Sequence, residues 1–185
     1  MFCDRISSKK EWGRLLGERR TRLCRMAYVW SKDPSLAEDL VQEALIRALR
    51  NRKQLHDPKN LDAWLFRILH NCWQDHLRHQ ARTRPLDDLP EPSFLYHPEE
   101  IQGRSEEIAR VRSAVAALPE GQRQVLTLVD LEGLSYAQVA AVLDIPIGTV
   151  MSRLCRARGR LREILGNFDA SSDPEREGVQ LRRVK

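Results

Sequence analysis

LDIPIGTVMSRLCRAR, residues 143–158, stops one helix and starts another. Just before it, LSYAQVAAVL repeats apolar residues at helical spacing, with Ser135 placed to cap the helix and Gln138 three residues on to reach back. Asp144, Ile145 and Pro146 break that helix, because proline disfavours helical geometry in the residue before it. The next helix restarts between Ile147 and Thr149. On its wheel Val150, Leu154, Ala157 and Leu161 form a core-facing stripe. Thr149, Ser152, Arg153, Arg156 and Arg160 gather on another, and Ala140 leaves room for two helices to cross closely. A short helix, a tight turn and a second helix with a hydroxyl-and-arginine face is the helix-turn-helix pattern, whose second helix enters the DNA major groove. Arginine suits that place, since its planar fork binds guanine edges in a bidentate manner or grips phosphates. An amphipathic helix with a solvated basic face has a similar wheel. The capping box, the turn and the segregated faces together favour the DNA reading.

Composition agrees with this without deciding it. The chain has 185 residues, 42% hydrophobic and 31% charged, a balance that fits a soluble, folded, helix-rich protein. Its net charge of +5 and pI of about 9.3 suit a polyanionic partner, or simply a basic surface that keeps the protein in solution. No apolar run approaches a membrane span, and MFCDRISSKKEW lacks the apolar core of a signal peptide, so a cytoplasmic location without membrane insertion is expected. The four cysteines, Cys3, Cys24, Cys72 and Cys155, form no C-x-x-C and read as unpaired thiols in a reduced compartment.

Composition changes at RPLDDLPEPSFLYHPEE, residues 84–100, where four prolines stand among acidic residues and no helical or strand period survives. The expected fold is therefore all-α, with two small helical domains joined by a linker rich in proline and acid. Residues 1–83 form the first domain, 84–102 the linker, 103–166 the domain with the helix-turn-helix, and 167–185 a disordered tail. In the first domain one helix covers about Lys9 to Trp30, with Leu15, Leu16, Leu23 and Met26 on or near one face. A second begins at DPS, with Asp33 as cap and Pro34 at the first helical position, and runs to about Lys53. A third begins near Asn60. In the second domain EEIARVRSAVAAL and EGQRQVLTLVDLE are helices split at Leu118-Pro119, and Gly133 closes the latter.

ALPEGQRQVLTLVDLEGLSYAQVAAVLDIPIGTVMSRLCRARGRLRE resembles the promoter-binding carboxy-terminal domain of bacterial sigma factors. DLVQEALIRALRNR followed by LDAWLFRILHNCWQDHLRH resembles their amino-terminal domain. With only these two domains and a linker, the chain resembles the extracytoplasmic-function (ECF) class over roughly residues 10–165. The resemblance implies that the second domain recognises the upstream (−35) promoter box, while the first binds core RNA polymerase and opens the downstream (−10) box. Ser152, Arg153 and Arg156 match positions that contact upstream-box DNA in the family. Met151 departs from the pattern by standing where a basic residue is frequent, so promoter preference is not transferable from relatives. The linker, with Asp87, Asp88 and Glu91, would thread towards the polymerase active-site channel, and an anti-sigma protein is an implied partner; a plain connector would carry the same residues.

The first domain carries chemistry that fits. In its second helix Ala37, Leu40, Val41, Ala44, Leu45 and Ala48 form the inward stripe. The opposite face carries Asp39, Gln42, Glu43, Ile46 and Arg50. An isoleucine within a polar, acidic face suits a protein contact, or is one stray apolar residue on a solvated face. With the resemblance, Asp39, Gln42, Glu43 and Ile46 become the polymerase-binding set. In the third helix Leu61, Leu65, Ile68, Leu69 and Cys72 point one way, and Arg67, Asn71, Gln74 and Arg78 line the other side. Aromatic and amide groups beside arginines fit single-stranded DNA, where a displaced base stacks and is hydrogen-bonded. Trp64 and Phe66 read as core, and Trp73 fits either the core or base stacking. Asn71 matches a family position that reads the downstream box, so the downstream set is Asn71, Trp73, Gln74, Asp75 and Arg78.

Cys72, His76 and His79 recur at i, i+4 and i+7, as metal ligands could, but they lie on or beside the inward stripe and read as packing. No triad, phosphate loop or carboxylate pair stands at catalytic spacing, so neither an enzyme nor a cofactor is expected. The rival readings are a dimeric helix-turn-helix regulator that needs no polymerase, a protein that occupies polymerase without opening promoters, and a metal- or redox-responsive sensor.

Overall fold

The computed structural model describes residues 9–55, 57–83 and 104–172. Every regular element among them is helical. The first domain consists of α1 (Lys9–Ser31), α2 (Pro34–Arg50) and α3 (Leu61–Thr83). The second consists of α4 (Arg104–Ala116), α5 (Glu120–Leu126), α6 (Tyr136–Leu143) and α7 (Ile147–Ser172). The linker at 84–102 lies outside the described residues.

Local chemistry sets the helix ends. Asp33 accepts from the backbone N–H groups of Ser35 and Leu36 at 2.8 and 3.1 Å, so α2 starts with its first donors satisfied. It ends at Arg50, earlier than expected, because Arg52–Gln54 tighten into a short 3-10 turn. At α6 the capping box forms in full: Ser135 Oγ accepts from Gln138 N–H at 3.2 Å, and Gln138 Oε1 accepts from Ser135 N–H at 3.0 Å. Asp144 closes α6 in the left-handed region at φ 54, which a short polar side chain tolerates, and Ile145 N–H returns to the Ala140 carbonyl at 3.1 Å. Pro146 then supplies the carbonyl for the first turn of α7. The axes of α6 and α7 bend by 103° at this turn, within the helix-turn-helix range.

Two further boundaries differ from expectation. Thr127–Leu131 continue α5 as a wider π-type turn rather than a plain helix. The backbone of α7 continues to Ser172, past the Gly166 boundary assigned to the tail, since no proline interrupts it before Pro174.

The inward stripes fall where helical periodicity puts them. Ala37, Leu40, Val41, Ala44 and Ala48 of α2 are buried, as are Val150, Leu154 and Ala157 of α7; Leu45 and Leu161 pack at the margin. Phe66 is buried and Trp64 is half-buried against Trp12, edge to face at 6.4 Å. Trp12 and Trp30 prove to be major core residues of α1. Most of the buried apolar residues of both domains join in one core, because α1 meets α5 and α3 meets α6.

Candidate nucleic-acid and polymerase interfaces

The seam between the domains is built from polar groups as well as apolar ones. The indole N–H of Trp30, on α1, donates to Thr127 Oγ1 at 3.2 Å, and the Trp30 carbonyl accepts from Arg123 Nη2 at 3.3 Å. Arg123 is buried, and its Nη1 donates to the carbonyls of Ala116 and Leu118 at 3.0 and 3.1 Å. A cation there answers the orphan carbonyls where α4 ends. Burial pulls the Arg123 guanidinium below its ordinary value, with Glu120 opposing. Arg22 bridges Asp62 of α3 at 2.7 Å and Glu132 of the second domain at 2.7 Å.

On α7 the outward face carries Ser152, Arg156 and Arg160, all exposed, with Thr149 half-buried at its edge. Ser152 Oγ donates to the Thr149 carbonyl at 3.1 Å, which fixes the hydroxyl within the first turns. Arg153 lies on the flank instead. Its guanidinium rests on α5, where a Cβ added at Gly121 would stand 2.9 Å from Nη1. With a side chain at Gly121 the flexible end of Arg153 would have to shift. Arg158, on the other flank, is tied to Asp130 by two bonds of 3.1 and 2.6 Å.

On α3, Asn71 and Arg78 are exposed and Gln74 is half-buried. These three share a cleft with His70, Gln124, Leu143, Asp144 and Arg153, so α3 faces the helix-turn-helix across it. Asp75 is exposed but doubly engaged, with Arg47 of α2 at 2.8 Å and Arg78 at 3.0 Å. Trp73 is not on the open side with Asn71: it is 7% exposed, donates its indole N–H to Glu120 Oε1 at 2.6 Å and stacks on His76 at 5.9 Å. Glu120 lies 47 residues away in sequence, so no local pattern could have announced this contact.

His70 lines the same cleft and was not singled out by sequence reasoning, since a lone histidine on an apolar stripe carries no ligand signal. It is buried beside Trp30, ring to ring at 6.1 Å, with Gln74 Nε2 3.4 Å from its Nε2. Nδ1 has no hydrogen-bond partner among the described residues. Burial lowers its pKa, against the opposing charges of Glu120 and Asp144. The folded chain therefore binds fewer protons here than the unfolded chain, and the stability this contributes is lost as pH falls below the ordinary histidine value of about 6.5. Urea unfolding between pH 8 and pH 5 is expected to show that decline, and His70→Gln to flatten it.

The four residues assigned to polymerase contact share one outward stripe of α2. Asp39 and Gln42 are exposed, Glu43 is half-buried and Ile46 is 43% exposed. Glu43 accepts from Arg47 Nε at 2.7 Å, and Arg47 passes the link to Asp75. Among the described residues no group of three histidine, cysteine or acidic side chains is arranged to hold a metal ion. Burial pushes the Cys72 thiol up to about 11, away from the thiolate a metal would need. No single helix among the described residues is long and apolar enough to cross a membrane.

Comparison with known proteins identifies the family of both helical domains. Residues 15–83 match the family model for sigma-70 region 2, and residues 108–161 match that for sigma-70 region 4. Two regions of the sigma-70 type thus stand in order on one chain, the first spanning α1 to α3 and the second ending on α7. The chain is 38% identical over 131 residues to the ECF RNA polymerase sigma factor EcfG of Rhodopseudomonas palustris, covering 70% of this chain and 71% of that protein. It is 36% identical over 166 residues to the ECF RNA polymerase sigma factor SigE of Mycolicibacterium smegmatis, covering 87% of this chain but 64% of SigE. The sigma factor RpoE of Bartonella quintana, solved in complex with the anti-sigma factor NepR, superposes with a TM-score of 0.75 at 32% identity over 85% of this chain and 98% of that one. The chain belongs to the ECF class of RNA polymerase sigma factors.

Proposed function

We propose that this chain binds core RNA polymerase and directs it to a subset of promoters. The observation that carries this reading is the outward face of α7, Ser152, Arg156 and Arg160, held by a completed helix-turn-helix on the same chain as a region 2 bundle. In this mechanism α7 enters the major groove of the upstream box. Arg156 reads base edges there, while Thr149, Arg153 and Arg160 support the docking through backbone and groove contacts. Asn71, Gln74 and Arg78 then hold the downstream strand once it is unstacked, with Asp75 fixing Arg78 and Arg47. Trp73 joins them only when the seam parts and its bond to Glu120 is given up. The chain supplies recognition and base capture, and the polymerase supplies the chemistry.

The stripe Asp39, Gln42, Glu43 and Ile46 is the polymerase contact, with Ile46 as the apolar anchor inside a polar rim. Ile46→Asp is expected to weaken core polymerase association by about tenfold or more, the loss typical of a desolvated anchor. Its exposure means folding is spared, so circular dichroism stays unchanged. Co-sedimentation of the full chain with core polymerase measures this; undiminished association would move the contact elsewhere. An anti-sigma protein is a further partner, by likeness to RpoE, which was solved in complex with the anti-sigma factor NepR.

A further inference from the structure

We propose that Met151, with Ile147 one turn before it, reads the C5-methyl group of a thymine in the upstream promoter box. This rests on the DNA-binding reading of α7 and adds a specificity element to it. Ile147 and Met151 are 48% and 53% exposed, although the stripe Val150, Leu154 and Ala157 already supplies the apolar face that the core needs. They occupy the first and fifth positions of α7, and a recognition helix meets base edges with its N-terminal residues. Ser152, the next residue after Met151, and Arg156, further along and round α7, are also exposed and supply the polar and cationic contacts that hold such a helix in the groove.

The choice of thymine follows from groove chemistry. Guanine offers two acceptors to the major groove, which favour arginine; thymine alone among the four bases presents a methyl group there. A neutral thioether cannot bridge a phosphate or donate to guanine, and its flexible, polarisable chain fits a methyl group well. Nor does a neighbouring arginine readily displace it on that side of the helix. Arg158, nearly in line with Met151 two turns on, is held by both carboxylate oxygens of Asp130.

The test starts by enriching duplexes from a random library with the full chain bound to core polymerase, which defines the preferred upstream box. Each thymine of that box is then replaced by deoxyuridine, which removes only the methyl group. Binding of the full chain with core polymerase is read by fluorescence anisotropy. At one thymine the replacement is expected to weaken wild-type binding about three- to fivefold, the value of one buried methyl contact. Met151→Ala is expected to bind thymine and deoxyuridine duplexes equally while still favouring the same box. Circular dichroism checks that this exposed-site variant is folded. A box without a required thymine, a wild type indifferent to deoxyuridine at every position, or the same penalty in Met151→Ala would overturn the proposal while leaving the DNA-binding reading intact. Failure to enrich any sequence would remove both.

Discussion

Trp30→Ala is expected to lower the unfolding free energy by about 3–5 kcal/mol, the cost of deleting a large aromatic from a closed core. That is a large share of the roughly 5–15 kcal/mol that a domain of this kind holds in total. Trp30 is 1% exposed, packs at right angles to His70 and reaches across the seam through its N–H and its carbonyl. Alanine leaves a cavity between α1 and the second domain and strips Thr127 Oγ1 of its donor. The hydroxyl keeps its own bonds to the carbonyls of Arg123 and Gln124, at 2.8 and 3.1 Å. Trp30→Phe should therefore cost far less, since it keeps most of the ring and loses one hydrogen bond worth about 1 kcal/mol. Because one residue serves both domains, far-UV circular dichroism in urea should show a single transition displaced to lower denaturant. Two separated transitions, with only the first displaced, would mean that the domains are stable independently of the seam.

Arg156→Ala and Asn71→Ala are expected to abolish most promoter-directed transcription at different steps. Arg156 is exposed on the outward face of α7, free of the packing that holds Arg153 against Gly121 and of the pair that holds Arg158 to Asp130. A bidentate arginine contact is worth about 1–3 kcal/mol, so its loss weakens upstream-box binding about 5- to 150-fold. Asn71 faces the cleft from α3 and is expected to act after docking. Its replacement should leave core association and duplex binding near wild type while strand opening, read with permanganate or 2-aminopurine, falls. Loss of duplex binding in Asn71→Ala, or of opening without loss of duplex binding in Arg156→Ala, would invert the two assignments.

Much of the fold was legible because its determinants are local. Asp33 with Pro34, and Ser135 with Gln138, mark helix starts within a few residues, and the apolar periods of α2 and α7 name their buried faces directly. Ser152, Arg156 and Arg160 of α7 were legible for the same reason, whereas Arg153, grouped with them on the wheel, rests against Gly121 of α5. The seam was not, because its partners meet over distances that no period encodes: Trp30 and Thr127 are 97 residues apart, and Arg123 and Trp30 are 93. Arg123 in EGQRQ looks like a surface residue until α4 is seen to end its carbonyls on it. Trp73 could stack on a base or fill a core by sequence, and Glu120 from the other domain decides its place in this conformation.

The central claim is that α3 and α7 act together on one promoter under the control of one polymerase. Its most direct test is transcription in vitro with core RNA polymerase, with and without the full chain, on genomic fragments from the same organism, mapping the 5′ ends of the transcripts. Discrete start sites should arise only when the chain is present, and disappear with Arg156→Ala and with Asn71→Ala. Identical 5′ ends with and without the chain would contradict it.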